Sequence, residues 1–202
     1  MLEKLPEAVG HGLRDRRAGM DKTVIQSKLP ACATLDVSSA AFANDTPIPV
    51  KYTADGEGLS PPLEWKGIPA QAGSVIVLVE DADAPTANPL VHLIVVNLQA
   101  RNGGLREGEI RHAETPESGA VIGRNSYLRA AWLPPDPPPG HGQHRYVFQV
   151  FAISGTMDSS EHPGRSEVVT VVRERALAAG QLVGTYERGE QVIGVAADDA
   201  AA

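Results

Sequence analysis

Internal disulfide bonds are excluded in this chain, because its 202 residues include a single cysteine, Cys32. A small apolar role, buried or half-buried, fits that residue, and the composition gives no support for secretion. The longest apolar runs, residues 75–79 and 93–96, are far too short to cross a bilayer. The first thirty residues also lack the apolar stretch of a signal peptide. These absences predict a cytoplasmic protein without a transmembrane segment.

Basic residues are outnumbered, since 18 Lys and Arg stand against 25 Asp and Glu and give a net charge of −7. The longest basic cluster, residues 14–17, is itself interrupted by Asp15. Binding to a nucleic-acid backbone usually needs a basic face, so the composition argues against a nucleic-acid partner. An acidic protein can still bind a small anion, because the field inside a pocket is set by the nearest groups.

Glycine and proline are frequent, with 20 and 16 residues, and they cluster between short apolar runs. This pattern favours many short strands over a helical bundle and predicts a mainly antiparallel β architecture with one late helix. We expect a flexible or loosely docked extension over residues 1–22, a single domain over 23–189 and a disordered tail over 190–202. The predicted strands cover residues 48–52, 75–80, 92–98, 145–153 and 181–186, and the predicted helix covers residues 166–179 and ends at Gly180.

Three polar stretches stand next to the apolar strands. The segment Asp81-Ala-Asp-Ala-Pro85 follows one strand, and His92 begins the next. The third stretch, Pro137-Pro-Pro-Gly-His-Gly-Gln-His-Arg-Tyr146, combines a stiff backbone, exposed amides and cationic donors, as a phosphate or carboxylate site requires. Each stretch alone also suits an ordinary structural role: a turn, a histidine with its hydrogen bonds satisfied, or a proline-rich connection.

Catalysis is the weaker alternative. Asp81, Asp83 and His92 are residue types that bind metals in hydrolases. However, the sequence has no His-x-x-x-His or Cys-x-x-Cys pair to accompany them, and the carboxylates stand in an evident turn. The Gly-x-Ser-x-Gly elbow of serine hydrolases and the Gly-x-Gly-x-x-Gly loop of dinucleotide-binding proteins are also absent. The sequence therefore predicts a protein without a cofactor that is not an enzyme.

The order and spacing of several motifs resemble the phosphatidylethanolamine-binding protein family, which includes Raf kinase inhibitor proteins and their bacterial relatives. The similar region runs from about Ser39 to Arg188, and its Pro-Pro-Pro-Gly motif looks like that of the bacterial branch. The resemblance implies a large central β-sheet packed with a smaller sheet, and a pocket at one end. Besides the polar stretches above, it rests on Ser60-Pro-Pro-Leu-Glu-Trp-Lys-Gly-Ile-Pro69, Val95-Val-Asn97 and Leu182-Val-Gly-Thr-Tyr186.

The resemblance also implies a binding site. In the family this pocket binds phosphate-like anions, including phospholipid head groups and acetate-like molecules. Family members also inhibit kinases or proteases, so a phosphorylated or acidic segment of a protein partner stays open, as does a homodimer. By position, the residues matching the pocket are Asp81, His92, His144 and Tyr146, those matching its wall are Pro137 and Pro138, and those of the supporting loops are Asp83, Pro85 and Arg145.

The chemistry of these residues suits an anion. Two histidines near one site can donate to an oxyanion, and Asp81 would fix a histidine tautomer. We therefore expect anion affinity to rise as the pH falls through the histidine pKa. Two departures from the family's usual pattern bear on this. Ala82 stands where the family has proline, which predicts a less rigid loop. Residues 133–136 replace glycines, which predicts a bulkier and more negative rim and an unusual or weakly bound ligand.

Overall fold

The computed structural model describes residues 7–26, 29–110, 119–158 and 161–188. The predicted tail and residues 1–6 lie outside these ranges, and the division of the chain into extension, domain and tail stays a prediction. Helix α1 spans Glu7–Leu13 and helix α2 spans Arg165–Arg175, and two 3-10 turns cover Met20–Lys22 and Val50–Tyr52. The strands are β1 (Ala33–Thr34), β2 (Asp36–Ser38), β3 (Thr46–Pro47), β4 (Leu63–Lys66), β5 (Ser74–Asp81), β6 (Leu90–Gln99), β7 (Gly103–Leu105), β8 (Val121–Ile122), β9 (His144–Ile153) and β10 (Ala176–Tyr186).

A seven-stranded mixed sheet organises the described residues. Its order is β1-β10-β9-β5-β6-β8, and β3 also pairs with β10. Among the long strands, β10 pairs with β9, β9 with β5 and β5 with β6, all antiparallel, whereas β1 and β3 run parallel to β10. Strands β2, β4 and β7 form a second, antiparallel sheet. The predicted mainly β class, with a large sheet, a smaller sheet and a late helix, is confirmed.

The long central strands are buried on both faces. Every residue of β5 is buried, as suits a continuous β-branched run inside a layered core. On one face of the large sheet, residues such as Val77 and Phe148 join the core that contains Trp65 of the small sheet. On the other face, Ile76 and its neighbours pack with Val168 of α2. No helix in the described ranges is long and apolar enough to span a membrane.

Two predicted elements were wrong in their extent. The helix predicted over residues 166–179 ends at Arg175, and the chain enters β10 at Ala176. Pairing of Ala178 with Ala152 of β9 overrides the helical preference of the alanines in this segment. The strand predicted over residues 48–52 is also wrong. In this region Thr46–Pro47 pairs with β10 and Ile48 N–H donates to the Thr185 carbonyl. Val50–Tyr52 then forms a 3-10 turn after Pro49, which has no N–H to donate to a sheet.

Gly180 was predicted to end a helix, but it lies inside β10 where the backbone of Leu35 crosses closely. A Cβ atom at Gly180 would collide with the Leu35 carbonyl oxygen. We therefore expect Gly180→Ala to lower the free energy of unfolding by about 3 kcal/mol, measured by denaturant titration. Gly12→Ala is the matched control, because a Cβ there meets no atom within 4 Å. Equal stability of the two variants would contradict the close approach at Gly180.

Candidate functional site

The sheet brings together three polar side chains that are distant in sequence. Asp81 ends β5, His144 begins β9 and His92 lies in β6, and β5 pairs with both other strands. All three residues are buried. They line a cavity of about 30 Å³, large enough for a very small group. The cavity is completed by Ala84, Pro85, Leu90, Tyr127, Leu133, Pro134, Asp136, Pro137 and Pro138.

A chain of hydrogen bonds joins Asp81, His144 and His141, a group of side chains called the relay below. His144 Nδ1 lies 2.8 Å from Asp81 Oδ2, and His144 Nε2 lies 2.6 Å from His141 Nδ1. His141 Nε2 lies 2.9 Å from the carbonyl oxygen of Leu13 and 3.2 Å from that of Arg16. Both ring nitrogens of His144 are thus occupied within the protein.

The geometry of the relay determines how many protons it holds. His141 Nε2 faces two carbonyl oxygens, which only accept, so it must carry a hydrogen. The contact between His141 and His144 needs another hydrogen, and the contact between His144 and Asp81 needs a third. A carboxylate and two neutral histidines together carry only two. The relay therefore holds one additional proton, and its net charge is zero instead of −1.

The position of this additional proton follows from burial. Burial and the neighbouring His144 lower the pKa of His141. The proton consequently lies on the side of His144 and Asp81, where the carboxylate stabilises an imidazolium. His144 thus acts as a charged partner of Asp81, with no ring nitrogen left for a ligand. Of the two histidines expected to donate to an anion, only His92 has a ring nitrogen available for a ligand.

His92 differs from His144 because one of its ring nitrogens has no partner. Nδ1 lies 2.6 Å from the carbonyl oxygen of Leu133, so Nδ1 carries the hydrogen in the neutral ring. Nε2 is buried and has no hydrogen-bond partner among the residues that the structure describes. Burial lowers the pKa of His92, although Asp81 and the Leu133 carbonyl act in the opposite direction. The pocket therefore contains a neutral histidine whose Nε2 is an acceptor without a partner among the described residues.

Tyr146 supports the histidine rings and does not itself line the cavity. Its ring meets His92 edge to face with 5.1 Å between centroids, and it stacks on His144 at 6.4 Å. Burial raises the pKa of Tyr146 well above its ordinary value. The fully buried ring of Tyr146 thus packs against both histidine rings and fixes their orientation.

Asp83 and Arg145, the predicted supporting residues, form a charged pair beside the cavity. Arg145 donates from Nε and Nη2 to the two Asp83 oxygens, each at 2.7 Å, and Arg17 Nη1 lies 3.1 Å from Asp83 Oδ1. Burial alone would raise the pKa of Asp83, but the hydrogen bonds from Arg145 outweigh it and hold the pKa below its usual range. Ala82 N–H also donates to the Arg145 carbonyl, a bond that a proline at position 82 could not make.

The negative rim predicted from residues 133–136 is partly neutralised by Arg188, which pairs with Asp136 and also with Asp55. Arg188 Nη2 lies 2.8 Å from Asp136 and 2.7 Å from Asp55, and its Nη1 donates to the Pro137 carbonyl. The guanidinium thereby ties the proline wall to the loop of Asp55. The extra carboxylate of Asp136 is therefore part of an ion pair and does not stand alone against an anion.

Two contributors to the site were missed in the sequence. The pattern around His141 predicts a proline–glycine connection, but the His141 side chain is fully buried in the relay. The backbone of Leu13 and Arg16 belongs to a segment expected to be flexible or loosely docked. The spacing His-Gly-Gln-His was the available signal for His141. Nothing in the pattern of residues 13–16 indicates a contact with residue 141.

Metal ligation finds no support in the part of the chain that the structure describes. No group of three or more His, Cys, Asp or Glu side chains there is placed to hold a metal ion. His144 and Asp83 already have partners within the protein.

A large mixed sheet, a smaller sheet and a buried Asp–His pocket at the end of the central strands together define a β-sheet binding protein. The family model for phosphatidylethanolamine-binding proteins matches residues 38–187. This match covers about three quarters of the chain, so the chain belongs to the phosphatidylethanolamine-binding protein family.

Relatives and solved structures agree with this assignment. The chain is 32% identical over 155 residues to a UPF0098 protein of Methanothermobacter thermautotrophicus, covering 77% of the chain and 100% of the relative. A phosphatidylethanolamine-binding protein homolog from Chlamydia trachomatis is 31% identical with a TM-score of 0.68, covering 77% of this chain and 98% of the other. YbcL of E. coli is 28% identical with a TM-score of 0.72, at 77% and 99% coverage.

Proposed function

We propose that this protein binds a small phosphate-like oxyanion, with His92 as the residue that holds it. The observation that carries the proposal is the buried, unpartnered Nε2 of His92 in the lining of the cavity. A buried polar atom without a partner is costly, so such an atom is expected to meet a ligand group. Protonation of Nε2 turns it into a charged donor suited to an oxyanion.

The charges around the cavity bear on how an anion could be held there. Among the described residues, no Lys or Arg lines the cavity, so His92 is the ring that can supply a new positive charge there. The relay has no net charge, whereas Asp136 shares Arg188 with Asp55, which leaves one net negative charge on these three side chains. Binding of an anion in the cavity therefore depends on His92, the histidine able to take up a proton there.

The small size of the cavity favours a terminal group as its occupant. A space of about 30 Å³ suits a small acid or the phosphate end of a larger molecule. Free phosphate and a phospholipid head group share this chemistry. The arrangement favours binding over catalysis, since the ring nitrogens of His144 and His141 are bonded within the protein.

Binding of inorganic phosphate at different pH values tests this proposal. We expect saturable binding that strengthens as the pH falls from about 8 to about 5, because the anion favours protonated His92. The sign follows from linkage: a ligand that prefers the protonated form raises the pKa of His92 and binds more tightly at lower pH. NMR titration of the His92 ring measures both effects. Affinity that is flat or increases with pH would contradict the proposal.

Two further ligands separate the sources of the anion. Phosphoethanolamine tests a lipid head group, and stronger binding than that of phosphate would favour a head-group ligand. A phosphorylated protein segment, as in a kinase- or protease-inhibitor-like regulator, is tested by capture of a phosphoserine peptide with and without competing phosphate. Capture that phosphate abolishes would show that the same pocket holds the terminal group of a protein partner. Failure of all three probes would overturn anion binding.

A further inference from the structure

The segment of residues 10–19 lies outside the match to the family model, which begins at residue 38, yet it contacts the site directly. Gly19 N–H donates to the Ala82 carbonyl at 2.8 Å, and Ala18 N–H donates to the Ala84 carbonyl at 2.9 Å. These two bonds attach the segment to the loop that follows Asp81. The attachment places the carbonyls of Leu13 and Arg16 on His141.

We propose that residues 10–19 are a built-in component of the site that fixes the proton content of the relay. The carbonyl oxygens of Leu13 and Arg16 act as positioning groups for His141. They do not touch the cavity, and they act on it through His141 and His144.

The argument rests on the choice between two tautomers of His141. With the segment docked, Nε2 must carry the hydrogen, so Nδ1 can only accept from His144. His144 then needs hydrogens on both nitrogens and becomes charged. With the segment undocked, His141 Nε2 would face water, which donates as well as accepts. The hydrogen of His141 could then move to Nδ1 and donate to His144 Nε2. The relay would no longer need its additional proton.

The charged groups around His141 make this choice sensitive to docking. From the segment, the Arg17 guanidinium opposes protonation of His141, and it donates to the carbonyls of His141 and Gln143. From β9, His144 opposes it too, whereas Asp81 at the end of β5 stabilises a proton on His144. Loss of the proton on undocking changes the relay from zero to −1, beside the cavity that Asp81 lines.

Two glycines of α1 provide a matched test of docking. Gly10 is buried against the Pro139 carbonyl and lies near the His141 amide, so a Cβ there would push the segment away from the site. Gly12, in the same helix, has no atom within 4 Å of a Cβ. Gly10→Ala and Gly12→Ala make the same change in helix propensity, and the steric conflict at Gly10 distinguishes them.

The direct readout is NMR of the histidine ring nitrogens in the ligand-free, full-length protein. We expect hydrogens on His141 Nε2 and on both nitrogens of His144 in the native protein and in Gly12→Ala at neutral pH. In Gly10→Ala, we expect His141 to populate the tautomer with hydrogen on Nδ1 and His144 to lose one proton. Unchanged ring signals in a folded Gly10→Ala, or a native protein with neutral His144, would overturn the proposal.

A second variant keeps the test decisive if Gly10→Ala unfolds. His141→Leu has no nitrogen or oxygen to accept from His144 Nε2. We expect His144 to become neutral in this folded variant. A His144 that keeps both hydrogens in His141→Leu would contradict the role given to the relay.

The effect on ligand binding rests on the proposed function and is measured separately. A charge of −1 on the relay, several ångströms from a bound anion, should weaken phosphate binding by about tenfold in Gly10→Ala. Gly12→Ala should bind phosphate as the native protein does. If the native protein binds no phosphate, the proposed function fails while the ring-nitrogen measurement still decides the role of the segment. If phosphate binds equally to both variants, the segment has no influence on the site.

Discussion

His144→Leu should lower the free energy of unfolding by about 3–5 kcal/mol, measured by denaturant titration at neutral pH. The His144 side chain is 1% exposed and bonds to Asp81, whose side chain is 7% exposed. Removing the imidazolium leaves a buried carboxylate without its charged partner, and that is more costly than losing an ordinary hydrogen bond. The variant also leaves His141 Nδ1 without its partner.

A double substitution separates the charge from simple packing. Asp81→Asn in the His144→Leu background removes the uncompensated charge, so we expect it to recover about half of the lost stability. His162→Leu serves as the control, since His162 lies outside the pocket and donates a single bond to the Ile122 carbonyl. It should cost about 1 kcal/mol. A His144→Leu variant no less stable than His162→Leu would refute the charged pair.

His92→Leu should have the opposite profile, with a large effect on binding and a small effect on stability. Leucine removes Nε2, the donor proposed for the anion, and phosphate affinity should fall about 10- to 100-fold. The unfolding free energy should change by about 1 kcal/mol or less. The lost bond to Leu133 is partly offset by removal of an unpartnered buried nitrogen.

Calorimetric titration with phosphate measures this effect, and His162→Leu is again the control. The part of the pH dependence that His92 supplies should disappear in His92→Leu, because the group that takes up the proton is gone, and only the titration of phosphate itself should remain. Retained affinity with a retained pH dependence would show that another group holds the anion.

Much of the fold could be predicted because its signals are local. The β-branched run around Val77 and the aromatic run around Phe148 predicted the central strands, and the structure extends each by only one or two residues. The extent of β10 could not be predicted, because Ala176–Ala179 have helical preferences that only pairing with β9 overrides. The helix end predicted at Gly180 was wrong for the same reason, since this glycine is required by the close approach of Leu35, which is a tertiary contact.

The site was predictable only in part. Asp81, His92 and His144 stand beside strands, and their order resembles a known pocket, so their meeting could be expected. The different roles of His92 and His144 could not be predicted. These roles depend on which nitrogen meets which acceptor, and the Leu133 and Leu13 carbonyls carry no sequence signal. The negative charge predicted for the rim at Asp136 also left out the pairing of this carboxylate with Arg188, which is 52 positions away in the sequence.

Proton uptake on anion binding tests the central claim most directly. Sulfate has no titrating proton near neutral pH, so a proton taken up during its binding must be held by the protein. Calorimetry at pH near 7, in buffers with different ionisation enthalpies, should show uptake of about one proton. His92→Leu should show almost none in whatever binding remains. Tight sulfate binding without proton uptake, or the same uptake in His92→Leu, would contradict the assignment of His92 as the anion-binding residue.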